Sequence, residues 1–557
     1  MINRSDIQEQ FNKLLAQNID SVQSLREWIW CCDQLDAQLG QDYAWKYIRQ
    51  TTNTVDEQAK QGYKDFLQDI YPQRITISDK IGRKLVSCTY TSHLPAEYNN
   101  YIRWSEHAVN YFREENVSLM SREKEIASQW AEITGAWTIA YQWNILTIKQ
   151  AEEYLKSSDR TVRKDVFELL EQRRYKDNAR LDTIMSDLIQ IRTKIANNCG
   201  FESYTDYRFS SRYDYKKEQI NQFHEAIRIV ISPLMKSFFE DRKKALWLET
   251  LQPYDFEVPL ITVSNNEWFV TTDEMIDKLC LLLHTMDPEF ETFIKTMQEK
   301  NQLDLDTRPN KAPWWYNYPL SWTPYSFIFM NAMRDHYGRF TRTHEAWHGI
   351  HHYLTRNLSV EYFRDCPSEI CEIASMSMEL FTMDDLHMIG LTDDQIKDGI
   401  YQKIIHDIGF FSYMSKIDLF QQWMYDYPRH TWEERNEKRK QLNQLYSYAT
   451  RTFDTQSWSW EYQQYLDSYR QRQIHLFDYP FYYIEYGIAQ LASLQLYNQF
   501  LVDRPSAIDN YKKILSAWSI HSIPDTMRLW EVDFDLSEQK LRQLMQPLIE
   551  KYKQLWF

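Results

Sequence analysis

Leu181, Ile184, Met185, Leu188, Ile191 and Ile195 recur at steps of three and four, a spacing that lines one face of a helix and would scatter over both faces of a strand. Helical patterning of this kind runs through most of the 557 residues. It is present in Ser21-Val-Gln-Ser-Leu-Arg-Glu-Trp-Ile-Trp30, through the charged stretch to Ile70, from 111 to 200, from about Lys217 to Leu248, and from Thr272 onward. Thr392-Asp-Asp-Gln395 reads as a capping box at a helix start. Asn197-Asn-Cys-Gly200 reads as a helix end, with Gly200 as a left-handed cap. Strand signals are few. Val258-Pro-Leu-Ile-Thr-Val263 and Trp268-Phe-Val270 give the best place for one within 251–272, and the proline- and aromatic-rich 304–340 has room for short strands. The expected fold is mainly α, with a small β element ahead of residue 344 and enough chain for two or more lobes.

Composition narrows the partners. A formal charge of -15 argues against a polyphosphate or nucleic-acid partner, which needs a basic face. It suits a chamber that favours neutral or cationic ligands. No run approaches the length of a membrane span, and Met1 to Gln10 is polar with no apolar signal core. Seven scattered cysteines read as reduced thiols, and with the polar start they point to a cytoplasmic protein. Cys31 and Cys32 are adjacent, and Cys366 and Cys371 lack the spacing of a zinc knuckle. Glycine is scarce, 11 residues or about 2% against a usual ~7%. Bulky residues are therefore expected at turns and close approaches where glycine is normal.

His344-Glu345-Ala346-Trp347-His348 reads H-E-x-x-H, with no proline from Tyr325 to Cys366. On a helix, His344 and His348 share a face and can point imidazole nitrogens at one ion, while Glu345 lies beside them as a candidate base for a water proton. The bland alternative is two helix histidines and an exposed glutamate. A catalytic zinc needs a third protein ligand and an open position. Asp365-Cys-Pro-Ser-Glu-Ile-Cys-Glu372 opens a second helix, with Pro367 suited to its first turn. Glu372 falls 24 residues after His348, room for one helix to end and an antiparallel one to return. Glu369 and Asp365 compete for the same role and rank below Glu372. Glu379, two turns beyond Glu372, suits a partner for a ligand histidine, or an ordinary surface carboxylate.

His344-Glu-x-x-His348 followed by Glu372-Ile-Ala-Ser-Met-Ser-Met-Glu379 resembles the zinc oligopeptidases of the thimet oligopeptidase/oligoendopeptidase F family, nearest to its bacterial oligoendopeptidase F and Pz-peptidase branch. The resemblance covers essentially the whole chain. It extends to Asp187–Gly200, to Arg212-Tyr-Asp-Tyr215, and to Leu303-Asp-Leu with Lys311-Ala312 and Tyr316. It is strong in His475-Leu-Phe-Asp-Tyr-Pro-Phe-Tyr-Tyr-Ile-Glu-Tyr486-Gly-Ile-Ala-Gln490. Peptide hydrolysis builds negative charge on the carbonyl oxygen, and imidazole and phenol donors aimed there lower the barrier. Tyr479, Tyr483 and Tyr486 recur at four and three, so one helical face is expected to present all three; a core stripe is the alternative.

The resemblance implies a two-lobed helical ellipsoid around a deep channel. Its expected parts are an N-terminal helical lobe over 1–115, a helical continuation over 116–200 and a catalytic lobe over 201–557. It implies one Zn²⁺ per chain on His344, His348 and Glu372, with Glu345 as general base and Glu379 behind a ligand. His475 and Tyr486 become transition-state donors, and Tyr479, Tyr483 and Tyr316 substrate contacts. The implied activity is cleavage of internal bonds in short unfolded peptides, with the oligomeric state left open. A catalytically weak peptide-binding relative and a dipeptidyl carboxypeptidase are the alternatives. The family usually has a small residue before the second histidine and glycines before the Tyr316 match. Here Trp347, Trp314 and Trp315 stand there, where two or three indoles could narrow the channel, shift the substrate or block it.

Overall fold

The stripe from Leu181 to Ile195 forms the helix Asn178–Asn198 in the computed structural model, with Leu181, Ile184, Met185, Leu188 and Ile195 buried. Its end is the one expected. Gly200 takes a φ of +86°, and the N–H of Phe201 donates to the carbonyl of Ala196 at 3.1 Å, the closure typical of a left-handed cap. Thr392 likewise opens the helix Asp393–Asp426 through a reciprocal box with Gln395. The structure describes residues 4–261, 269, 271–321, 323–331, 336–365, 367–446, 462, 464–517 and 520–556. Over these the chain is mainly α, with one two-stranded and one three-stranded sheet among the described residues. No described helix is long and apolar enough to cross a membrane.

Helix does not run unbroken from 111 to 200, as the pattern predicts. A hairpin intervenes, with β1 (Thr138–Tyr141) antiparallel to β2 (Asn144–Thr147) and Tyr141 opposite Asn144. Its two loop residues, Gln142 and Trp143, have φ of 45° and 67°, the paired left-handed conformation that matches hairpin twist. Asn-Gly or Asp-Gly normally marks such a turn; glutamine and tryptophan do not. The substitution is general. Among the described residues Gln142, Trp143, Trp247, Asn301, Asn310, Phe481 and Glu531 have positive φ, against Gly200 and Gly390. The expected strand in 251–272 falls largely on 262–268 and 270, outside the described residues, as does Cys366; the described part holds a turn at Pro253–Asp255.

The β element expected before residue 344 is present. β3 (Leu303–Asp304), β4 (Tyr316–Pro319) and β5 (Ser326–Phe329) form a sheet in the order β3-β5-β4, with β5 buried throughout, parallel to β3 and antiparallel to β4. Lys311 ties the connection down: its buried ammonium donates to Asp304 Oδ1 at 2.9 Å and to the Met330 carbonyl at 2.7 Å. The sheet lies against the helix His336–Leu354. Asn317 Nδ2 donates to the Glu345 carbonyl at 3.1 Å and to Ser326 Oγ at 2.8 Å. Contact is closest at Gly349, where a Cβ would sit 2.9 Å from Ser326 Oγ and 3.1 Å from Asn317 Nδ2. Glycine is thus favoured where helix and sheet meet, one residue past His348, since a larger residue must displace those side chains.

The helix Ser368–Phe381 runs behind, and from Glu372 to Phe381 every residue is buried. A stretch of helix buried on all sides belongs to the core, and here it carries two carboxylates, Glu372 and Glu379, into the interior, with Glu369 buried one turn earlier. Gly349→Ala is expected to lower stability by about 1–3 kcal/mol, the usual cost of overpacking, measured by denaturant unfolding. An unchanged midpoint would mean that helix and sheet do not meet there.

Candidate metal and catalytic centre

Four residues apart on one helix, His344 and His348 place their ring centroids 4.8 Å apart at 84°. Glu372 enters between them from the core helix. Its Oε2 lies 3.1 Å from His344 Nε2 and 3.7 Å from His348 Nε2. One donor atom from each residue falls within 4.8 Å of the others, and this is the group of metal-ligand type found among the described residues. Two imidazoles and a carboxylate are the donor set of a catalytic zinc, with ligands about 2 Å from the ion, and edges of this length fit around one such ion. Glu369, the competitor, instead accepts from the Tyr215 hydroxyl at 2.9 Å. Asp365 stands ahead of the helix, outside the cluster.

Two of the three members, His344 and Glu372, are oriented from behind. His344 Nδ1 meets Glu379 Oε1 at 2.8 Å, and the other oxygen of Glu379 lies 3.0 Å from Lys403 Nζ. Glu372 Oε1 accepts from the Tyr482 hydroxyl at 2.8 Å, and its Oε2 from Ser375 Oγ at 3.2 Å. Burial alone would raise the Glu372 carboxyl, but His348 and His344 outweigh it and hold it below the usual range. Burial also acts to raise Glu379, and Lys403 and His344 bring it down to about 2. The imidazoles differ. Burial lowers His348 to about 4, so it is a neutral donor. At His344 burial is overcome by hydrogen bonds to Glu372 and Glu379, which push it well above its ordinary value. Positive charge is favoured on this side of the site.

Glu345 is different again. It is 2% exposed, and its Oε2 has no hydrogen-bond partner among the described residues. Burial pushes its carboxyl up to about 8, with Glu372 and Glu379 adding to the effect against His344. A buried oxygen left open is costly, and one beside a donor cluster of this kind is placed to hold a transferable proton.

The segment from His475 to Tyr486 is held by Arg192. This fully buried guanidinium pairs with Glu123 at 2.6 Å and donates to the Tyr425 hydroxyl at 2.7 Å, to the Leu476 carbonyl at 3.1 Å and to the Phe477 carbonyl. Phe481 then takes a φ of 72°, with its N–H donating to Gln421 Oε1 at 2.8 Å and its carbonyl accepting from the Tyr213 hydroxyl at 3.2 Å. The helix Tyr482–Val502 begins one residue later. Tyr486 Oη lies 3.4 Å from His475 Nε2, and desolvation, with Glu372 and Glu345 adding to it, raises its phenol well above the ordinary value. His475 is lowered to about 4 by burial, so its ring is neutral.

Two expectations for the tyrosines are corrected. Tyr479 is not on a helical face with Tyr483 and Tyr486. It lies in the turn before the helix, 39% exposed, with Lys124 Nζ 5.0 Å from its ring centroid. Tyr483 is a core residue, its hydroxyl bonded to Gln473 and its ring against Phe410 and Tyr413. Tyr482, four residues from Tyr486 and so on its face, reaches Glu372 instead. The helix starts at 482, and that start, set by Phe481, decides which tyrosines face inward. Tyr316 stacks on Phe329 at 4.7 Å with its hydroxyl 2.7 Å from Thr51 Oγ1, so it bridges to the helix Val22–Thr52. Sequence reasoning also missed Asn317 and Lys403; neither belongs to a pattern visible along the chain.

The indoles do not stand where the motif comparison suggested. Trp347 is 1% exposed and faces Phe290 at 4.8 Å and Tyr511 at 5.7 Å, away from His344 and His348 on the turn of the helix. Trp314 is buried against Trp130 at 5.4 Å, and Trp315 packs under Lys149. All three are packing residues.

Residues 153–546 match peptidase family M3, and residues 1–112 match the peptidase M3 N-terminal domain. Oligopeptidase PepF of Bacillus subtilis (strain 168) is 22% identical over 593 residues, covering 98% of this chain and 84% of that protein. An oligoendopeptidase F homolog of Lactococcus lactis subsp. lactis (strain IL1403) is 25% identical over 244 residues, and that match spans 42% of this chain and 38% of the relative. Among solved structures, Pz peptidase A with an inhibitor superposes with a TM-score of 0.93 at 22% identity, covering 99% of this chain and 98% of that one. Oligoendopeptidase-F from Enterococcus faecium gives 0.66 at 16% identity, covering 99% and 97%. At these identities the structures bear on the fold alone.

Trp347→Ala is expected to cost about 3–5 kcal/mol of stability, as large aromatic truncations in a core do, and to leave KM for a short peptide unchanged. A lower KM with unchanged stability would put the indole in the substrate path.

Proposed function

Because the chain belongs to peptidase family M3, we propose that it is a zinc-dependent endo-oligopeptidase that cuts internal bonds of short unfolded peptides. The observation that carries this reading is the convergence of His344, His348 and Glu372 on one point beside the unpartnered oxygen of Glu345. When bound, Zn²⁺ supplies Lewis acidity to the scissile carbonyl and to water. His344 Nε2, His348 Nε2 and Glu372 Oε2 would hold it. Glu345 Oε2 takes a proton from the attacking water and passes it to the leaving amine. The burial that raises the Glu345 carboxyl in the metal-free protein favours its holding the proton it has taken until the leaving amine accepts it.

His475 and Tyr486 act as donors to the carbonyl oxygen as it gains charge. Both suit that task, since a neutral imidazole and a high-pKa phenol keep their protons at neutral pH. Tyr479 offers its open ring to the substrate. Tyr483 and Tyr316 act through packing, one fixing Gln473 and the other joining β4 to the N-terminal part. On this reading residues 1–115 and 116–200 wall a channel whose catalytic side is 201–557, and the channel excludes folded proteins. The six described cysteines are free thiols, in keeping with a cytoplasmic enzyme.

The test is a quenched peptide of about ten residues, the size class the reading concerns, incubated with and without chelator and its fragments weighed. Chelator-sensitive internal cuts are expected; dipeptides released stepwise from the C-terminus, or no cuts with zinc bound, would overturn it. Glu345→Gln is expected to lower kcat by about 10²–10⁴-fold, the range for general acid–base groups, with zinc retained. Near-normal turnover would remove Glu345 from this role.

A further inference from the structure

Behind the candidate zinc ligands the interior holds a chain of charged groups with no evident packing purpose. Glu379 uses both oxygens in opposite directions: Oε1 toward His344 Nδ1 at 2.8 Å and Oε2 toward Lys403 Nζ at 3.0 Å. Lys403 is only 3% exposed, and its ammonium also meets Asp407 Oδ1 at 2.5 Å, one turn along the helix Asp393–Asp426. Glu379 and Asp407 are themselves buried, at 9% and 1%. A lysine and two carboxylates in a core are stable only as a mutually bonded set. Apolar residues of similar volume would fill the same space at no desolvation cost, so the set needs a reason to be there.

Geometry supplies one. A carboxylate with a single partner can swing about its terminal torsion, which is broad for glutamate. With an ammonium fixed on the far oxygen, the plane of Glu379 is set, and the near oxygen has one direction left. That direction meets His344 Nδ1. An acceptor held there keeps the proton on Nδ1, so that Nε2, 3.1 Å from Glu372 Oε2, is the nitrogen that gives up its proton and turns its lone pair to an ion. Asp407 does for Lys403 what Lys403 does for Glu379, holding the ammonium at the end of a flexible stem.

We propose that Lys403, anchored by Asp407, is a positioning residue for the metal site: it fixes Glu379 so that His344 presents Nε2 to the ion. The inference rests on the zinc reading above. Lys403 acts through Glu379, so its effect is on metal affinity and on kcat, with KM for peptide unmoved.

The experiment measures zinc affinity by competition with a chromophoric chelator, together with the visible spectrum of the cobalt-loaded protein and the thermal midpoint of the metal-free protein. Because K403M alone strands two buried anions, the main variant is K403M/D407N, with K403R and E379Q beside it. The expected result is that E379Q and K403M/D407N each weaken zinc binding by about 10–100-fold, the usual effect of losing a group that orients a ligand. They should also shift the cobalt bands, while K403R returns affinity and spectrum toward wild type. If K403M/D407N keeps wild-type affinity and spectrum while E379Q does not, the inference falls and the zinc reading stands. The inference also falls if zinc is lost only in proportion to unfolded protein. Failure of the wild-type protein to bind zinc would overturn both.

Discussion

Two carboxylates in a stretch of helix with no solvent face set the terms for everything around them. Glu372 and Glu379 lie in the buried run of Ser368–Phe381, and an ionised carboxylate in such a place must be paired on each oxygen or be lost. The neighbouring elements supply the pairs. The helix His336–Leu354 brings two imidazoles, Tyr482–Val502 brings the Tyr482 hydroxyl, and Asp393–Asp426 brings Lys403. Three helices are thereby fixed in register against one, and the same contacts that satisfy the carboxylates aim the imidazoles at a single point. Site and fold are here one constraint.

Scarcity of glycine is the second constraint, and it too bears on the site. At Gly349 any other residue must push the Ser326 and Asn317 side chains aside. At Phe481 the chain adopts a left-handed backbone with a bulky side chain, which costs about 1–2 kcal/mol, and Gln421 and Tyr213 hold it there. That turn sets the phase of the helix that follows. Tyr482 and Tyr486 face the centre, Tyr483 the core, and Tyr479 stays outside the helix. Backbone strain stored beside a functional group and supported by its surroundings is a familiar arrangement.

Helix periodicity made much of this legible. His344 and His348 at i and i+4, and Glu372 and Glu379 two turns apart, can be read from spacing alone because both helices are regular. The short strands before His344 are likewise signalled by their prolines and aromatics. What stayed hidden depends on contacts remote in sequence or on turns without their usual residues. Gln142-Trp143 makes a hairpin turn that no glycine or asparagine announces. Tyr482 replaces Tyr483 because a single left-handed residue fixes the helix start. Trp347 belongs to the core because Phe290 and Tyr511, far along the chain, make room for it. A letter that departs from a motif thus says little until its direction on the helix is known.

Whether His344, His348 and Glu372 share one ion is decided by X-ray absorption at the zinc edge of the purified protein. One zinc per chain is expected, with two imidazole nitrogens and carboxylate oxygen at about 2.0–2.2 Å and no sulfur. The imidazole signal should fall in His348→Ala. A shell containing sulfur at about 2.3 Å, or an imidazole signal unchanged in that variant, would place the metal elsewhere.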